Sequence, residues 1–173
     1  GLSFSYDGQR LVLDDLSLSL PAGKTIALVG GVGSGKSTLA ALLARTYAVP
    51  RDAIKIDGTD INDIPTVRWR RSVGFVPQEG FLFSRTLRQN ISLNRVSVTS
   101  EQVDEAVRTA RLDRDLEQLP DGLETVVGER GVTLSGGQRQ RAALARALCG
   151  SPSLLILDDA LASVDADTEH GIL

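Results

Sequence analysis

Residues 30–38 read Gly30-Gly31-Val32-Gly33-Ser34-Gly35-Lys36-Ser37-Thr38, or GGVGSGKST. The pattern G-x-x-x-x-G-K-[ST] marks a phosphate-binding loop when a strand precedes it and a helix follows. Both flanks comply. Thr25 to Val29 is a short apolar run that predicts a central strand, and the Leu- and Ala-rich stretch Lys36 to Tyr47 predicts a helix. Glycines let the backbone curl until successive N–H groups face an anion. The helix behind them adds its positive N-terminal end. Lys36 is expected to reach the β- and γ-phosphates of a bound nucleotide, and the Ser37 hydroxyl to ligate Mg²⁺.

A second stretch supplies the other half of such a site. Residues 154–165 read LLILDDALASVD. Leu154 to Leu157 is too apolar to alternate and predicts a strand buried on both faces. It ends in two adjacent acids, Asp158 and Asp159. A carboxylate at the end of a strand beside a phosphate loop holds the magnesium through its waters, which is the role expected of Asp158.

Other segments fill in an α/β pattern. Leu2 to Tyr6 alternates as a strand, and so do Leu16, Leu18 and Leu20 with Ser17 and Ser19 between them. Ile54 to Ile56 runs into Asp57-Gly58, a hairpin signal. Val73 to Val76 is a strand halted by Pro77, and Trp69 is a packing residue of the helix before it. Thr99 to Leu112 is the clearest helix. Thr99 and Gln102 form a capping box, and Val103, Ala106, Val107 and Ala110 share one face. A further helix is predicted over Gly136 to Leu148. Strands alternating with helices argue for a parallel core sheet, with the mostly helical middle third as a subdomain at about residues 79–150.

Composition narrows the classes. The chain has 173 residues, 42% hydrophobic and 24% charged, with a net charge of -3. That is one ordinary globular domain, without the basic surplus that attracts nucleic acid or anionic lipid. No apolar run approaches the roughly 18–20 residues that span a bilayer. A lone cysteine, Cys149, fits a reducing compartment and reads as a small apolar residue near a helix end.

Leu134-Ser135-Gly136-Gly137-Gln138 opens the predicted helix at 136. A serine and two glycines at a helix start make another anion site. One nucleotide does not need two separate cradles on one chain. The economical reading is that the second serves a nucleotide held by another subunit.

With LSGGQ in place, the chain resembles the nucleotide-binding domain of ABC transporters over nearly its whole length. The order is that of the family: phosphate loop, Gln78, LSGGQ, then the LLILDD strand. The resemblance implies a P-loop NTPase core with a parallel sheet, an antiparallel β edge and a helical subdomain carrying the signature motif. It implies ATP and Mg²⁺ as ligands. Tyr6 matches the aromatic that stacks on adenine, with a core-edge tyrosine as the alternative. Gln78 matches the glutamine that touches magnesium and senses the membrane partner. Ser135, Gly136 and Gly137 match the signature that closes on the γ-phosphate of the opposite subunit. Ser163 and Asp165 match the loop that crosses the dimer interface, with a helix N-cap as the alternative for Asp165. Thr125 to Gly131 (TVVGERG) and Glu79 to Ser84 with Asn90-Ile91 resemble the exporter versions of two loops that meet the transmembrane half.

In hydrolytic members of the family the residue after the magnesium aspartate is usually Glu. Here it is Asp159. A carboxylate shortened by one methylene is drawn back by about 1 Å, and a misplacement of that size costs on the order of 10²-fold in rate. The pattern resembles the degenerate site of heterodimeric exporters, in which one subunit carries the poor acid with a good signature. The alternative is that a slight backbone shift lets Asp159 do the ordinary work. The catalytic set is then Asp159, Gln78 and Lys36.

The family's γ-phosphate histidine lies on a loop after a further strand. His170, the only histidine, is in the wrong place and reads as a surface residue. The sequence is therefore expected to be a fragment, clipped at its start and stopping before that strand. Its expected setting is the cytoplasmic face of the cell membrane, attached through transmembrane domains absent from the chain. A second, homologous but different nucleotide-binding domain is the expected partner. A regulatory subunit that binds ATP while its partner hydrolyses it is the second reading. A soluble ABC protein acting on DNA or the ribosome is the third, opposed by the acidic charge and by the lack of zinc-spaced cysteines. The exported substrate is not legible.

Overall fold

The computed structural model describes residues 1–128 and 132–159. Two compact units divide within one helix, the first ending at Arg70 and the second beginning at Arg71.

In the first unit, strands β1 (Leu2–Phe4) and β2 (Leu13–Leu16) pair antiparallel, with Leu2 opposite Leu16 and Phe4 opposite Leu13. This is the expected antiparallel edge. The alternating strand expected to continue to Leu20 stops at Leu16, because Leu2 already faces Leu16 and β1 offers no further partner. Helix α1 spans Lys36–Leu43, four residues shorter than expected. Its end is a Schellman closure: Thr46 N–H donates to Ala41 O (2.9 Å) and Arg45 N–H to Leu42 O (2.9 Å). Arg45 takes the left-handed conformation (φ 53°) usually left to glycine. Its guanidinium holds the turn by donating to Ile64 O at 2.6 Å.

Strands β3 (Lys55–Ile56) and β4 (Thr59–Asp60) form the hairpin expected at Asp57-Gly58. Both turn residues have positive φ, 48° and 83°, as a type I′ turn requires. Asp60 is buried, and its carboxylate accepts from the N–H groups of Asp52 and Asn62, both at 2.7 Å. Trp69, on α2 (Thr66–Ser72), is buried as expected, and its indole N–H donates to Leu43 O at 2.7 Å.

One expectation fails in this unit. Thr25 to Val29 forms no strand, and its side chains are exposed. An apolar run fits a pleated surface but does not create its neighbour. Among the described residues no segment forms a ladder with it, and a strand without a ladder has no stability of its own.

The second unit holds the parallel pair. Strands β5 (Val73–Val76) and β8 (Leu154–Leu157) match their expected bounds and run side by side, Val73 opposite Leu154 through Val76 opposite Leu157. Asp158 N–H extends the ladder to Val76 O at 2.9 Å. Helices α3 (Leu87–Ser92), α4 (Ser100–Thr109) and α6 (Gly136–Leu148) pack with β5 around one core. All four residues of the apolar stripe on and after α4 are buried, as their period requires. The short α5 (Asp113–Leu116) lies between α4 and α6 in sequence.

Capping boxes open α3, α4 and α6, from Thr86, Thr99 and Ser135. α4 ends before Leu112, again in a Schellman closure with arginine in the glycine position. Arg111 has φ 56°, and Leu112 N–H donates to Val107 O at 3.0 Å. The largely helical middle also contains a β pair that composition does not announce: β6 (Arg85–Thr86) with β7 (Val126–Val127), antiparallel. Among the described residues no helix is long and apolar enough to cross a membrane.

Candidate functional site

The phosphate loop belongs to the first unit. Gly35, the N-cap of α1, has φ 91°, and no side chain caps the helix. The three helices with capping boxes thus contrast with α1, whose first turn is left without one. Gly35 is required twice over. Its φ lies in the left-handed region, and an added Cβ would come within 2.6 Å of Leu13 Cδ2 and 3.0 Å of Val12 O. β2 therefore forms the floor of the loop. The Lys36 ammonium folds back over it and donates to the carbonyls of Gly30 (2.8 Å) and Gly31 (2.9 Å). Val32 projects fully into solvent at the tip, and the turn beneath it is closed by Ser34 N–H donating to Gly31 O at 3.3 Å.

Tyr6 joins this group. Its hydroxyl lies 2.9 Å from that of Thr38, the last residue of the motif. Its ring stands edge-on to Phe4 (5.1 Å, 84°) and Tyr47 (5.0 Å, 76°), and half of the residue is exposed. Tyr47, which the sequence reading leaves without a role, completes this aromatic trio.

The second unit carries Gln78, the signature and the two acids. Gln78, Phe81 and Arg139 line a cleft of about 660 Å³ together with Leu134 and Gly136 of the signature. Gln140 also lines it, and its buried Oε1 is the one buried side-chain polar atom among the described residues without a hydrogen-bond partner. Ser135 caps α6: its Oγ accepts from Gln138 N–H at 3.2 Å, and Gln138 Oε1 accepts in return from Ser135 N–H at 3.0 Å. Asp158 is partly buried at the end of β8, whereas Asp159 is exposed and left-handed, φ 53°. Aspartate tolerates that conformation better than most residues, because its short side chain can bond locally. This is a backbone reason for a short acid at position 159.

Sequence similarity now decides the family. A family model described as ABC transporter matches residues 13–162. The chain belongs to the ABC transporter family. It is 49% identical over 171 residues to a multidrug efflux ATP-binding/permease protein of Mycobacterium tuberculosis, covering 99% of this chain and 14% of that protein. It is 42% identical over 172 residues to the mitochondrial iron-sulfur clusters transporter ATM1 of Gibberella zeae, covering 99% and 25%. The structure of a bacterial Atm1-family ABC exporter with ATP bound superposes with a TM-score of 0.89 at 41% identity, over 99% of this chain and 30% of that one. The ABC domain described here therefore spans less than a third of the length of these relatives.

Some of the ABC motif residues lie outside the description. Ser163, Asp165 and His170 fall beyond residue 159, and Glu129, Arg130 and Gly131 of the exporter-like loop fall in the internal gap.

Sequence reasoning overlooked two arginines on α6. Arg146 donates from Nε to Asn90 O (2.8 Å), from Nη1 to Phe81 O (2.7 Å) and from Nη2 to Asn90 Oδ1 (3.0 Å). Its guanidinium also lies 5.9 Å from the centre of the Phe83 ring. Burial lowers its pKa from the ordinary arginine value. Asn90, itself buried, accepts from Phe83 N–H and donates to the carbonyls of Phe83, Arg85 and Thr86. Arg141 pairs with a buried Asp115. Cys149 is buried at the end of α6, and burial pushes its thiol pKa up, as suits a packing residue.

Proposed function

We propose that this chain is the ATP-hydrolysing motor domain of an ABC exporter. It would bind Mg·ATP, close on a second nucleotide-binding domain, and drive substrate across a membrane through transmembrane domains. The observation that carries the reading is the uncapped start of α1 beneath a loop on which the Lys36 ammonium already rests. A triphosphate offers that ammonium and the N–H groups of the loop an anion in place of two carbonyls.

The donor set suits magnesium: the Ser37 hydroxyl, the Gln78 amide oxygen and the Asp158 carboxylate are all hard oxygens. Among the described residues no cluster of three or more His, Cys, Asp or Glu could hold a metal. When bound, magnesium would neutralise charge developing on the phosphates.

In this reading Gly30 to Thr38 wrap the phosphates, Tyr6 packs on the base, and Gln78 orients water near the γ-phosphate. Leu134 to Gln138 reach a nucleotide held by the partner. Ser163 and Asp165 lie in the loop facing that partner. Residues of about 79–150 form the helical subdomain. The domain sits on the cytoplasmic face of the cell membrane, and the exposed Phe81 and Phe83 face the transmembrane half. The test is Mg-dependent ATP hydrolysis by the full-length transporter. Lys36→Ala is expected to abolish nucleotide binding at this site, and undiminished binding would refute the reading.

A second reading concerns this chain's own site. We infer that Asp159 makes it slow, so that it holds ATP while a non-identical partner turns over, in the manner of a degenerate subunit. Support comes from the left-handed backbone at Asp159, where a longer Glu would be less at ease.

A further inference from the structure

Asp115 is a buried acid outside the nucleotide-binding motifs. This residue of α5 is 7% exposed and faces α6. Arg141 grips its carboxylate with both prongs, Nε to Oδ2 at 2.7 Å and Nη2 to Oδ1 at 2.9 Å. Oδ1 also receives a longer contact, 3.5 Å, from the Nε2 of Gln138, the last residue of LSGGQ. A carboxylate only accepts, so it draws the amide's NH₂ end toward itself. The Oε1 end is thereby turned to Ser135 N–H, closing the capping box. A buried ion pair is a poor stabiliser beside apolar side chains of equal volume, because desolvation offsets most of the attraction. What this pair adds is direction: with Ser135 N–H holding the other end of the amide, it reinforces one of the two orientations of Gln138.

We propose that Asp115 is a positioning residue for the signature motif, acting through Arg141 and Gln138 to hold Ser135 in place for the partner's nucleotide. The proposal rests on the function proposed above. Ser135 Oγ already accepts from Gln138 N–H, so its own proton is the group left to offer a phosphate oxygen. The direction of that proton depends on the rotamer that the capping box holds. An amide at position 115 would present a donor to Arg141 or to Gln138, and the box would loosen.

The experiment compares ATP hydrolysis by the full-length transporter as wild type, Asp115→Asn, Ser135→Ala and the combination of the two. Asp115→Asn is expected to lower kcat about 10-fold with KM for ATP changed less than about twofold. In the Ser135→Ala background the same change is expected to cost less than about twofold, because the group it positions is gone. An unchanged kcat, or an equal loss in both backgrounds, overturns the proposal. A purely structural role would lower both backgrounds alike. If Asp115→Asn fails to fold, Asp115→Asn with Arg141→Gln leaves no unpaired charge and is expected to show the same fall; wild-type kcat in that variant overturns the proposal. An inactive wild type refutes the motor function and Asp115's role with it, whereas an active wild type with additive losses refutes the positioning role alone.

Discussion

The hydroxyl of Tyr6 lies 2.9 Å from that of Thr38, across 32 residues of sequence. The bond ties the aromatic trio to the last residue of the phosphate motif. Tyr6→Phe breaks only this bond, whereas Tyr6→Ala removes the ring. ATP affinity is expected to fall about 3- to 10-fold for Tyr6→Ala, the worth of one stacked ring, and to stay within about twofold for Tyr6→Phe. Nucleotide titration distinguishes them. Equal losses would mean that the hydroxyl and not the ring matters.

Gly35→Ala meets both a left-handed φ and the Leu13 side chain. A cost of about 1–3 kcal/mol in unfolding free energy is expected, with loss of ATP binding. Thermal unfolding and nucleotide titration check the two halves. Normal binding in the variant would mean that the loop can be rebuilt around a methyl group.

At Asp159 the expected outcome is opposite in sign for chemistry and stability. Asp159→Glu restores reach, so turnover at this chain's own site should rise about 10-fold or more. It also puts a less tolerant residue in a left-handed position, at a cost of about 1 kcal/mol. Site-resolved trapping of ADP in the assembled transporter reports the first effect, and no rise there would count against a degenerate site.

Asp60 predicts a pH dependence. N–H groups from Asp52 first, and then Asn62, lower its pKa below the ordinary 3.8. A depressed carboxylate stabilises the fold fully above the unfolded pKa and stops doing so as pH falls through the folded one. The unfolding curves of wild type and Asp60→Asn should therefore differ at neutral pH and converge in acid below 3.8. A gap that persists there would assign the effect to packing.

Arg146 makes three hydrogen bonds through one planar fork. Arg146→Lys keeps the charge but not the fork. A loss of about 2 kcal/mol or more is expected, since the carbonyls of Phe81 and Asn90 lose their donor. Denaturant unfolding measures it, and a loss under about 0.5 kcal/mol would show that the ammonium reaches the same acceptors.

What was legible in the sequence follows how local each signal is. The capping box at Thr99, the hairpin at Asp57-Gly58 and the strands 73–76 and 154–157 are written within a few residues, and they occur where expected. The helix ends after Leu43 and Thr109 were not legible, because arginine fills the left-handed position where glycine is the usual mark. Ladder pairing is not local either: Thr25 to Val29 has the composition of a strand and no partner among the described residues. The same holds around the motifs. GGVGSGKST and LSGGQ announce themselves, but nothing in Asp113-Arg114-Asp115 marks one of these acids for burial, and the tie of Asp115 to Arg141 spans 26 residues.

One consequence of the Arg146 anchor is mechanical. α6 has 13 residues, a rod of about 20 Å, with Ser135 at one end and Arg146 near the other. Gly80 lies against Ala143 on the same rod, where an added Cβ would come within 3.2 Å of it. The stretch from Gly80 to Asn90 is thus splinted along the same rod that Ser135 opens, so the segment bearing Phe81 and the signature serine share one rigid support.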